Sequence, residues 1–89
     1  MTAFVVPETE IETLYREQHF RLEVSCLMRR KVSRTRLYEW RRELGLLDEP
    51  MTYNVARAVA FYGKLRGNRN ISITQATERT KAFCEQHNL

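Results

Sequence analysis

Val32-Ser33-Arg34-Thr35-Arg36-Leu37-Tyr38-Glu39-Trp40-Arg41-Arg42-Glu43-Leu44-Gly45-Leu46-Leu47 is the stretch whose reading decides the fold. Ser33 is a residue type whose hydroxyl caps the first turn of a helix. With Leu37 as reference and about 100° per residue, Trp40, Arg41 and Leu44 lie within about 60° of it. Thr35, Glu39 and Arg42 fall on the far side, flanked by Tyr38 and Arg36. Gly45 follows at the position where a left-handed backbone ends a helix at little cost. The spacing therefore predicts a helix from Ser33 to about Leu44. Its Leu-Trp-Leu stripe faces a core, and its polar face looks outward. Trp40 shares the side of Leu37 and Leu44, so it is read as a core anchor rather than a base-stacking residue.

Working upstream, Arg30-Lys31-Val32 reads as a tight connection holding one apolar residue. Before it, a helix is expected over about Leu22–Arg29, with Leu22, Cys26 and Met28 or Arg29 on one side and Val24 and Leu27 thickening the stripe. An earlier helix is expected over about Glu10–Gln18, capped near Thr9, with Ile11, Leu14 and Tyr15 on one face. Ala3-Phe4-Val5-Val6 is β-prone and stops at Pro7, so a short N-terminal strand or arm is expected there.

Downstream, Leu46-Leu47-Asp48-Glu49-Pro50 is a linker whose leucines tuck under the core. A helix follows over Tyr53–Arg66, apolar around most of its circumference, which calls for cover on two sides. The domain supplies one side, and a neighbouring chain is expected on the other. After the break at Gly67-Asn68-Arg69-Asn70, a last helix capped by Thr74 carries Ala76, Thr80, Phe83 and His87 on one face. The fold class expected is mainly α: one domain over 1–89, about five short helices, a helix-turn-helix over about 22–45, and a helical pair with the dimer contacts over about 53–87.

Charge sharpens the picture. The chain has 89 residues and a net charge of +4. Between Arg21 and Leu44 there are eight basic residues and three acids, while the first twenty residues hold four glutamates and one arginine. Positive charge is thus focused on the predicted helix pair, as a phosphate-facing surface requires.

Other classes fit less well. Met1–Pro7 has no basic region or long apolar run of a secretory signal, so a cytoplasmic chain with reduced Cys26 and Cys84 is expected. Cys84 and His87, with Cys26 and His19, lack the paired spacing of a structural zinc site, so no metal or other cofactor is expected. There is no glycine-rich phosphate loop, nucleophile elbow or carboxylate pair beside a histidine, so an enzyme is not expected.

Two helices joined by a few residues, the second Ser-capped and arginine-faced, fit the major groove of duplex DNA. Arg29, Arg30 and Lys31 suit phosphates, and Ser33, Arg34, Thr35, Arg36, Tyr38, Glu39 and Arg42 form the predicted reading surface. The run Val32 to Leu47 also resembles the MerR-type pattern: Val-Ser, a leucine, an aromatic residue, then Gly-Leu-Leu. Tyr53, Val55–Arg66 and Ile71-Ser72-Ile73-Thr74 extend the likeness to about Leu22–Phe83.

That resemblance implies a winged-helix-related fold and a homodimer on an inverted repeat. The sequence departs from it at Lys31, where the turn usually has glycine. It departs again at Asp48–Thr52, a short acidic segment in place of a basic wing, and no effector domain follows within the 89 residues. A small repressor with no small-molecule effector, cytoplasmic and nucleoid-associated when bound to DNA, is the expectation. An excisionase-like recombination factor and a protein-interaction module built on the Val55–Leu65 helix are the alternatives.

Overall fold

The computed structural model describes residues 8–89, with side chains from Glu12 onward. Its elements are four helices: α1 (Glu8–Met28), α2 (Arg34–Glu43), α3 (Tyr53–Arg66) and α4 (Ile73–Gln86). The protein is mainly helical, with no strand among the described residues. The strand expected at Phe4-Val5-Val6 lies outside them.

α3 is the central element, touching α1, α2 and α4. The expectation that its second side waits for another chain is corrected here. Ala56, Ala58, Val59, Ala60, Tyr62 and Gly63 are all buried within one chain. Most of these are small, so neighbouring helices approach closely and cover the apolar circumference from several sides. Around α3 the core gathers Phe20, Val24 and Met28 from α1, Val32 from the turn, Leu37 and Trp40 from α2, and Ala76 from α4. Leu44 and Leu46 pack at its edge.

The two helices expected before Val32 are one. No glycine or proline interrupts Glu8–Met28, and Phe20, at the expected break, is 1% exposed. Burying that ring holds the junction helical. Thr9 consequently lies inside α1 and is not its cap. The expected stripe holds in part: Val24 and Met28 are buried, joined by Phe20, whereas Leu22 and Cys26 are exposed.

The last helix is capped by Ser72 rather than Thr74. Ser72 Oγ accepts from Gln75 N at 3.1 Å, and Gln75 Oε1 accepts from Ser72 N at 3.0 Å. This reciprocal box satisfies two donors at once, which Thr74 has no such partner to match. The expected face of α4 is present: Ala76 and Thr80 are buried, and His87 packs on Phe83 with ring centroids 4.5 Å apart. No helix among the described residues is long and apolar enough to cross a membrane.

Candidate nucleic-acid interface

The surface begins at the end of α1. Arg29 has φ +56°, its N–H donates to Cys26 O at 3.1 Å, and Arg30 N–H donates to Ser25 O at 3.1 Å. These two bonds form a Schellman ending with an arginine at the left-handed position. The unusual backbone thus falls on Arg29, two residues before Lys31. Val32, 3% exposed, then plugs the core, and its N–H donates to Ser25 Oγ at 3.1 Å. Anchoring Val32 inward leaves Arg29, Arg30 and Lys31 exposed around it.

Ser33 caps α2, its Oγ accepting from Arg36 N at 3.1 Å. Gly45, at φ +72°, closes the other end with a second Schellman pair: Gly45 N to Arg42 O at 3.0 Å and Leu46 N to Arg41 O at 2.8 Å. Between these ends Leu37 and Trp40 are 3% and 2% exposed. That anchoring fixes the rotation of α2, so Thr35, Arg36, Tyr38, Glu39 and Arg42 all emerge exposed. All ten residues singled out from the sequence lie on the turn or on α2, and all are exposed.

They are not equivalent. Ser33's hydroxyl is engaged in capping. Arg34 Nε donates to Glu17 Oε1 at 3.2 Å, tying the start of α2 to α1. Arg36 and Arg42 have no ion-pair partner among the described residues. Arg41 does a different job: its Nη2 donates to Leu47 O at 3.1 Å, and its guanidinium sits 5.6 Å from the Phe20 ring centroid. It is a strut between α2, α1 and the linker.

Sequence reasoning missed Glu17 and Thr13. Both line an open concavity with Arg34, Thr35 and Tyr38, so α1 forms one wall beside the start of α2. Glu17 is seventeen positions from Arg34, and no local pattern links them. A second missed group lies behind α2. Arg66 Nε donates to Glu43 Oε1 at 3.2 Å, offsetting a carboxylate at the negative end of the α2 dipole.

No cluster of three or more His, Cys, Asp or Glu residues suited to a metal occurs among the described residues. Cys26 and Cys84 are free. Burial, and secondarily Glu85, pushes the Cys84 thiol above its ordinary range, which makes it a poor nucleophile. No protein family, curated protein or solved structure matches this chain.

Proposed function

We propose that the protein is a sequence-specific duplex-DNA-binding regulator, with α1, the turn and α2 acting as a helix-turn-helix. The observation that carries this reading is the outward face of α2. Arg36 and Arg42 are exposed there, without ion pairs among the described residues, beside Thr35, Tyr38 and Glu39. Arg29, Arg30 and Lys31 stand exposed in the turn before it.

A single helix fits the major groove, arginine pairs with guanine through two bonds, and turn cations suit the adjoining phosphates. Because Arg34 is held by Glu17, base contact falls mainly to Arg36 and Arg42. The reading extends to a homodimeric repressor on an inverted repeat, acting by occlusion in the manner that the MerR-type resemblance implies.

The test is selection of bound duplexes from a random pool, followed by titration of the selected site at several salt concentrations. A defined motif is expected. Affinity should fall on the order of 10³-fold between about 50 and 200 mM salt if about six phosphates are neutralised. No enriched motif, or binding indifferent to salt, sinks the proposal. Two copies of the motif in inverted orientation would support the dimeric form. Arrayed direct copies would favour the recombination-factor alternative.

A further inference from the structure

α1 has two apolar faces, and the fold uses one of them. Phe20, Val24 and Met28 enter the core. Leu14, Tyr15 and Leu22 remain 56%, 73% and 55% exposed. At about 100° per residue they share one strip about 120° wide with the exposed Gln18 and Cys26. Tyr15, Gln18 and Leu22 recur at intervals of three and four, the spacing of a helix–helix seam. A strip of this kind on one helix marks an interaction surface more than scattered surface leucines do.

We infer that this strip is the contact of an antiparallel homodimer. The first argument is charge. Residues 8–17 carry four glutamates (Glu8, Glu10, Glu12, Glu17) and one arginine (Arg16). Residues 18–28, the rest of α1, carry one arginine (Arg21) and one glutamate (Glu23). Parallel copies would set the two acidic segments against each other. Antiparallel copies separate those segments and set each beside the balanced half of the other, twice by symmetry.

The second argument is register. Leu14 and Leu22 stand four positions either side of Gln18, so reversal about Gln18 brings Leu14 of one copy level with Leu22 of the other. The two Gln18 side chains then lie level, and each amide both donates and accepts.

The inference adopts the dimeric part of the proposed function and gives it a surface, but does not depend on DNA. Sedimentation of the full chain without DNA, at micromolar concentration, therefore tests it separately from DNA titration. Wild type should sediment at twice its 10.6 kDa mass. Tyr15→Glu and Leu22→Glu should each weaken association at least about tenfold while the far-ultraviolet spectrum stays helical, since a buried charge opposes assembly. Should a glutamate melt α1, Leu22→Ser provides the same comparison without added charge.

Orientation is read from Cys26 in a Cys84→Ser background. Antiparallel copies hold the two Cys26 residues about 24 Å apart along the helix, at about 1.5 Å per residue, so mild oxidation should yield no disulfide dimer. A monomeric wild type, a dimer indifferent to these substitutions, or rapid Cys26 cross-linking would each overturn the inference.

Discussion

A β-carbon placed on Gly63 would stand 2.6 Å from Trp40 Cζ3, 2.8 Å from Trp40 Cη2 and 2.9 Å from Met28 Cε. Met28 can swing aside, but an indole that is 2% exposed has no room to retreat. Alanine ordinarily stabilises a helix interior relative to glycine by about 1 kcal/mol. Here the overlap outweighs that gain, and Gly63→Ala should lose about 1–3 kcal/mol in chemical denaturation. Trp40→Ala, which opens the same contact as a cavity, should lose about 3–5 kcal/mol. Arg36→Ala and Arg42→Ala should behave oppositely, keeping the wild-type melting curve. Each should lose about 1–3 kcal/mol of discrimination for the selected DNA site, measured by anisotropy against a scrambled duplex. If both bind like wild type, α2 does not read the bases.

Both ends of the segment carrying the proposed interface are closed by the same device, with different residues. Gly45 sits at φ +72°, and a β-carbon added there would meet nothing within 4 Å, so Gly45→Ala bears only the conformational cost. That cost is about 1 kcal/mol, measurable as a shift in the denaturation midpoint. Arg29 occupies the equivalent position after α1 at φ +56°. Arg29→Gly should therefore stabilise the fold by about 0.5–1 kcal/mol while weakening DNA binding and reducing its salt slope. A gain in stability without any loss of affinity would separate Arg29 from the phosphates. The left-handed backbone at Arg29 is thus a conformational cost that a glycine would not carry.

Across the whole molecule, three helices meet at a polar cluster. Tyr62 on α3 is fully buried, with its hydroxyl turned toward Glu43 and Thr77 but in ideal hydrogen-bond geometry with neither. Burial chiefly, and then the Glu43 carboxylate on α2, raises its pKa above the ordinary 10.0, while Thr77 on α4 and Arg66 act in the opposite sense. In the unfolded chain the phenol loses its proton near the ordinary value, whereas the folded protein retains it to higher pH. The stabilisation is thus fully present below about pH 10 and is lost as pH rises through the folded value. Tyr62→Phe should flatten the alkaline fall in stability relative to wild type. Equal pH dependence in the two proteins would remove Tyr62 from the account. In a chain of 89 residues with a thin core, such a cluster also helps to fix how α2 is held over α3.

What the sequence determined by itself was local. The Ser33 cap, the inward side of Leu37 and Trp40, the glycine stop at Gly45 and the bounds of Tyr53–Arg66 all follow from backbone chemistry and periodicity within a turn or two. So does the exposure of Thr35, Arg36, Tyr38, Glu39 and Arg42, because a helix that buries one side must present the other. Tertiary structure decided the rest. Only packing of Phe20 joins two apparent helices into α1 and turns Leu14, Tyr15 and Leu22 outward, since the α1 sequence is apolar on two sides and periodicity cannot choose between them. Only proximity in space makes Glu17 the partner of Arg34 and Arg66 the partner of Glu43. Ser72 displaces Thr74 as the cap because its reciprocal bonds with Gln75 satisfy two helix donors. The apolar girdle of α3 is covered by its own chain because small residues let three helices close around it, a matter of fit that composition does not record.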